Sequence, residues 1–300
     1  MKRYFIETIT ILAASLLSAS CAKEIGTEAA DWSPLTFRAS TAGKLEAKAE
    51  QKEQVTDFTV AGYDNGIVWF PQSDINVSST FDSYKWRSWK SYTFYGYANL
   101  PASGATAAIV KDGVTLTFTD MPDDSGQKDV MLGRYSGDGD KAGIASMTFY
   151  HPMASVQFKV GTLTGISSIT GINISGVYKA GKTTLSMDTD VPDFIWTNVT
   201  DVKSIKQTVS VEATTGSLIG TPFIVIPQDL AVQDITIAII AITADGSVCS
   251  ILKNVMNGVW EAGKTTVYEV NLTSKGLNFT TSVKDWTLPT ADQNIEFEQQ

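Results

Sequence analysis

Residues 154–160 read ASVQFKV, and residues 267–272 read VYEVNL. In the first stretch Val156, Phe158 and Val160 alternate with Gln157 and Lys159; in the second Tyr268, Val270 and Leu272 alternate with Glu269 and Asn271. A period of two marks a strand with one buried and one wetted face, because successive side chains leave a pleated backbone on opposite sides. Similar short runs recur from residue 55 to residue 286, separated by Gly, Asp, Asn and Ser, and no long stretch has helical spacing. Residues 235–242 (ITIAIIAI) are apolar on both faces, which predicts a central strand covered on both sides. The chain therefore reads as all-β, and many strands with frequent turns predict β-sandwiches in place of a parallel sheet.

The N-terminus carries a different signal. Lys2 and Arg3 precede the apolar run Ile9 to Leu17 and the small residues Ser18, Ala19 and Ser20, the order of a secretory signal peptide over residues 1–20. The run is shorter than the roughly 20 apolar residues that a bilayer span needs. Cys21 follows directly, where lipoprotein processing leaves a cysteine as the new N-terminus, so lipid attachment is expected at Cys21. With Cys21 acylated, Cys249 is the one remaining thiol, no internal disulfide can form, and its apolar strand makes Cys249 read as core.

The remaining 280 residues (300 minus 20) exceed one ordinary domain, so two are expected. Residues 21–33 read as a tether, 34–143 as an N-terminal sandwich, 144–274 as a C-terminal sandwich, and 275–300 as a tail. The division falls at the turn-rich SGDGDKAG, residues 136–143. A net charge of −9 argues against nucleic acid and against anionic membrane surfaces as partners.

Two segments match the phosphate-loop pattern G-x-x-x-x-G-K-T: GVYKAGKT at 176–183 and GVWEAGKT at 258–265. That cradle requires a helix after the lysine, whereas strand-like residues follow both matches. A repeated hairpin is the simpler reading, with Gly181 and Gly263 supplying positive φ in its turns. His151 is the only histidine, too few for a zinc site or a nucleophile–histidine triad, and it reads as a packing or hydrogen-bonding residue. The acidic pairs Asp123 and Asp124, and Asp138 and Asp140, fit no calcium-loop spacing. No catalytic residue, metal ligand or cofactor is expected. Trp86 and Trp89, set among charges in KWRSWKSY, are the best candidates for an exposed sugar-stacking platform, against the plainer reading of aromatics in a sandwich core.

Taken together, the signal and cysteine, Phe149-Tyr-His-Pro-Met-Ala-Ser-Val156, Trp260-x-Ala-Gly-Lys-x-x-x-Tyr268 and Val283-Lys-Asp-Trp286 resemble the fimbrillin-like proteins of Bacteroidales, the type V pilin lipoproteins. The resemblance implies two tandem transthyretin-like (Greek-key) β-sandwich domains, an outer-membrane lipoprotein at the cell surface, and assembly into pili. It also implies a mode of assembly, in which a protease removes the first strand and a neighbour's strand fills the groove left behind. Carried onto this sequence, the removable strand is Leu35 to Thr41 and the donor lies between Leu277 and Glu298, with Leu277, Phe279, Val283 and Trp286 as its apolar residues. The family's cleavage follows an arginine in the loop after the first strand. Here that loop offers Lys44, Lys48 and Lys52, and Arg38 falls inside the strand. Expected partners are other fimbrial subunits, the membrane through the N-terminal lipid, and a host or bacterial surface ligand. The function expected is a fimbrial structural subunit or accessory adhesin, with a surface glycan-binding lipoprotein as the alternative.

Overall fold

The computed structural model describes residues 32–42, 55–87, 90–123, 126–138, 143–189, 192–273 and 276–286. Cys21, Lys44, Lys48, Lys52 and Trp89 lie outside them, as do Asp124, Asp140 and residues 287–300. Among the described residues nineteen strands form and no helix. The first nine are β1 (Trp32–Thr41), β2 (Asp57–Asp64), β3 (Ile67–Asn76), β4 (Thr80–Arg87), β5 (Ser91–Ala98), β6 (Ala105–Val110), β7 (Gly113–Phe118), β8 (Met131–Asp138) and β9 (Ile144–Tyr150). Next come β10 (Ala154–Leu163), β11 (Ile166–Leu185), β12 (Thr197–Glu212), β13 (Phe223–Val225) and β14 (Gln228–Asp229). The last are β15 (Ile235–Thr243), β16 (Val248–Val255), β17 (Val259–Trp260), β18 (Lys264–Thr273) and β19 (Gly276–Asp285).

A seven-stranded sheet runs β3-β2-β5-β8-β9-β1-β4, and a four-stranded sheet runs β13-β10-β18-β19. A six-stranded sheet runs β16-β15-β11-β7-β6, with β12 on β11, and β14 pairs with β17. All pairs are antiparallel except β1 with β9 and β10 with β18.

Three apolar clusters hold these sheets. Val156, Phe158 and Val160 of β10 and Val270 of β18 pack on Ile172 and Ile174 of β11 and Ile237 and Ile239 of β15, which closes a sandwich. Leu35, Phe37, Phe58, Phe70, Trp86, Phe94 and Phe149, all carried on strands of the seven-stranded sheet, fill the second cluster. The third joins the two halves: Tyr63 and Tyr95 meet Leu116 and Phe118 of β7, Leu185 of β11, Ile226 and Trp286.

The division expected at residues 143/144 runs through a sheet. β9 begins at Ile144 yet pairs with β8 and β1, so the first sheet continues to Tyr150. The six-stranded sheet also crosses the halves, because β11 pairs with β15 over residues 166–175 and with β7 over residues 181–185. β15 is central, between β11 and β16, and its Ile235, Ile237 and Ile239 are buried. Its other face, with Ile240 and Ile242, is only half-buried, because among the described residues no further layer covers it. Cys249 is half-buried on the edge strand β16, a correction to its reading as core.

The two glycine-rich matches differ in structure. Residues 176–183 lie within the continuous strand β11, where Gly176 has φ +90° at a bulge against β12 and Gly181 sits in the ladder opposite Phe118. The hairpin expectation fails there because β11 passes straight into its second partner. At the second match the expected turn is present, with Gly263 at φ +68° between β17 and β18, but β17 pairs with β14 and β18 with β10 and β19, so the flanking strands form no hairpin there either. A strand follows the lysine in both.

Candidate assembly interface

β1 alternates Leu35, Phe37 and Ala39, all buried, with the exposed Arg38 and the half-buried Thr36 and Ser40. Burying one side of a pleated strand requires partners along its backbone, and β1 has them on both edges. It runs parallel to β9 from Thr36↔Ile144 to Thr41↔Phe149, and antiparallel to β4 from Trp32↔Arg87 to Thr36↔Thr80. The register against β4 shifts between Pro34 and Leu35. Such an irregularity is where a proline, which has no N–H to give, is tolerated in a sheet. Beyond Thr41 the ladder is extended by Ala42 N–H donating to Phe149 O at 2.7 Å, and Val55 N–H donates to Ala39 O at 3.2 Å.

Phe37 is the keystone of this strand. Its ring meets Phe58, Phe70, Phe81 and Phe94 edge-on, with centroids 5.9, 5.7, 6.0 and 5.4 Å away. Such arrangements place a positive ring edge against a negative face and add to the burial of apolar area. β1 thus occupies a slot with β9 and β4 as walls and an aromatic floor.

The sequence-derived candidates fall as follows. Arg38 is exposed, but its backbone is held in the ladder opposite Ser146, so the peptide bond after it lies in a paired strand. Trp86 is only 1% exposed, which corrects its reading as a surface platform. The alternation of β4 turns Lys85 and Arg87 outward and drives Trp86 inward, where it stacks on Tyr92 at 4.5 Å and Phe94 at 5.9 Å. Asp123 pairs with the buried Lys179, and no group of three His, Cys, Asp or Glu able to hold a metal occurs among the described residues.

The donor residues of the tail lie within the chain's own fold. β19 is antiparallel to β18 from Lys264↔Asp285 to Thr273↔Gly276. Leu277 is buried, Phe279 is half-buried against Tyr268 at 5.4 Å, and Val283 is exposed. Trp286 is buried, and its N–H donates to Gly263 O at 2.9 Å. His151 is buried too, with Nδ1 2.9 and 3.0 Å from the two carboxylate oxygens of Asp129. Its reading as a packing and hydrogen-bonding residue is what the structure displays. Sequence reasoning missed its partners, Asp129 and Trp286, because they lie 22 and 135 positions away along the chain with no local signal linking them.

A family model described as fimbrillin-like matches residues 47–286. The chain belongs to the fimbrillin-like family. Solved structures agree on the fold of this fimbrillin-like chain. A candidate cell adhesion protein from Bacteroides ovatus ATCC 8483 superimposes with a TM-score of 0.58 at 12% identity, covering 86% of this chain and 99% of that one. One from Bacteroides uniformis ATCC 8492 gives 0.53 at 16% identity, covering 86% and 100%. One from Bacteroides eggerthii DSM 20697 gives 0.52 at 15%, covering 84% and 96%. No curated protein matches the chain.

Proposed function

We propose that this fimbrillin-like chain is a subunit or accessory adhesin of a bacterial surface fimbrium, exported, lipid-anchored at Cys21 in the outer membrane, and joined to its neighbours by strand donation. Its work in this reading is mechanical and adhesive, with no catalysis, and its two halves serve as tandem transthyretin-like sandwiches.

The observation that carries the proposal is the placement of β1. An N-terminal strand seated between β9 and β4, parallel to the former, can leave without breaking any other pairing in its sheet. Its departure strips partners from both walls and uncovers Phe58, Phe70, Phe81 and Phe94. Unpaired edges beside exposed apolar area bind an incoming strand, whose backbone completes the ladders and whose alternate side chains refill the floor.

Arg38 is a poor cleavage point while β1 is paired, so the reading assigns processing to the segment between β1 and β2, at Lys44 or Lys48. Leu277, Phe279 and Trp286 are committed to the chain's own β18 and core, so the donor is assigned to the residues after Trp286. There Ile295 and Phe297 alternate with Asn294, Glu296 and Glu298, the period of a half-buried strand. Surface location and partnership with other subunits follow from the same assembly.

The test is digestion of the full chain with a lysine-specific protease, followed by gel electrophoresis and electron microscopy. Ladders or fibres appearing after the cut, and absent from a Lys44→Gln, Lys48→Gln, Lys52→Gln variant, are the expected result. A cleanly cut chain that stays monomeric would refute assembly by donation.

A further inference from the structure

An edge strand presents a row of unpaired N–H and C=O groups, and proteins ordinarily blunt it with charge, proline, irregularity or brevity. Most edges here are blunted. β3 carries Pro71 and Asp74 and two register shifts against β2. β4 carries Asp82, Lys85 and Arg87; β12 carries Asp201, Lys203, Lys206 and Glu212; β19 ends in Lys284 and Asp285. β6 has six residues and β13 three. β13 is also capped, since the side-chain amide of Gln127 accepts from Ile224 N–H and donates to Ile224 O, both at 3.0 Å, and so stands in for a neighbouring strand.

β16 lacks all of these devices. Its eight residues pair with β15 without a register shift, from Ile235↔Val255 to Ile242↔Val248. Its one charge, Lys253, lies on the inner side with Ile251 and Val255 and donates to Asn278 Oδ1 at 3.3 Å. The outer side shows Val248, Leu252 and, just past the strand, Met256, at 73%, 64% and 67% exposure, with Ser250 and Asn254 between them.

We propose that β16 pairs antiparallel with β16 of a second copy of this chain, about a twofold axis through Leu252. The spacing selects the partner. With Leu252 opposite its own mate, Val248 of each copy faces Met256 of the other and Ser250 faces Asn254, so apolar meets apolar and polar meets polar along the whole strip. The next register that keeps each sheet face on its own side sets Val248 against Asn254 and Leu252 against Ser250. An isologous contact of this kind closes on itself and adds no open end.

Charge points to the same occupant. At a net charge of −9, repulsion between copies is the main obstacle to self-association. The outer strip of β16 carries no charge, and in the chosen register Lys253 faces Ile251 of the second copy, away from the other Lys253. Strand pairing over so short a length buries less than the roughly 1,200 Å² of a standard interface, so the dimer is weak and forms at high local concentration, as on a crowded surface. The inference does not rest on strand donation, which uses the seat of β1 and the residues after Trp286 and leaves β16 untouched.

The test uses the full chain with Cys21→Ser and Cys249→Ser, carrying either Leu252→Cys or Ser250→Cys. Across the axis the two residues 252 stand about 4.5–5.5 Å apart between Cα atoms, within disulfide range, whereas the two residues 250 are more than about 13 Å apart. Mild oxidation is expected to give a covalent dimer with Leu252→Cys at least several-fold in excess of that with Ser250→Cys. Sedimentation of the chain without introduced cysteines is expected to show a concentration-dependent dimer that Leu252→Lys removes while leaving the melting temperature unchanged. Equal cross-linking at both positions, or a dimer untouched by Leu252→Lys, would overturn the proposal.

Discussion

The imidazole of His151 lies flat on the indole of Trp286, with ring centroids 4.9 Å apart and planes 10° from parallel. His151 lies between β9 and β10 and Trp286 follows β19, so this stack ties the end of β19 to the segment that links the two halves. The imidazole is itself held by the Asp129 carboxylate.

Trp286→Ala removes one face of that stack and empties a site in the cluster joining the two halves. Truncating a buried tryptophan costs about 3–5 kcal/mol, so a loss toward the lower bound is expected in guanidinium unfolding, since this residue sits at a strand end. Limited proteolysis should at the same time cut more readily after Lys284. An unchanged unfolding midpoint would mean that the stack bears no weight.

Phe37→Ala is expected to cost about 3–5 kcal/mol, because four phenylalanine rings lose their common neighbour. Arg38→Ala, one residue on and outward-facing, is expected to change stability by less than about 0.5 kcal/mol. Urea denaturation of the two variants side by side measures the contrast.

Stability should fall at alkaline pH. Burial holds the hydroxyls of Tyr268, Tyr95 and Tyr63 above the ordinary tyrosine range, with Asp112 adding to the effect at Tyr95 and Tyr63. A folded-state pKa that is raised means that the unfolded chain gives up these protons first. The contribution is thus complete below the unfolded value of about 10 and is lost as pH rises past it toward the folded values. Thermal melts between neutral pH and strongly alkaline buffer should show the decline, shallower in Tyr268→Phe. That variant should also lose about 1–3 kcal/mol at neutral pH, because the buried Trp260 Nε1, 3.1 Å from the Tyr268 hydroxyl, is left without its acceptor.

Gly176→Ala and Gly181→Ala separate the two glycines of the first phosphate-loop look-alike. At Gly176 an added Cβ meets Asp234 O at 2.6 Å on a backbone of φ +90°, so a loss of roughly 1–3 kcal/mol or more is expected. At Gly181 the nearest atoms are side chains, Val199 Cγ1 at 3.1 Å and Trp196 Cε3 at 3.2 Å, and the cost should be smaller. Chemical denaturation of both variants ranks them.

The period-two runs made the strands legible: 154–160 and 267–272 became β10 and β18, neighbours in one sheet. Pairing between distant segments was not legible. Nothing in residues 166–185 announces one strand that changes partner midway, because each half alternates equally well against β15 or β7. The same limit governed Trp86. Flanking charges suggested a surface, yet in a strand the neighbours of a buried residue face outward by construction, so Lys85 and Arg87 are what an inward Trp86 entails. At the candidate interface, the seat of β1 depends on pairing with β9, 108 residues on, and with β4, 44 to 55 residues on, beyond any local pattern.

β11 threads both halves, with its first ten residues laddered to β15 and its last five to β7. One covalent backbone, hydrogen-bonded on its flanks, therefore braces both halves. A hinge between them would first have to tear ladder bonds from β11.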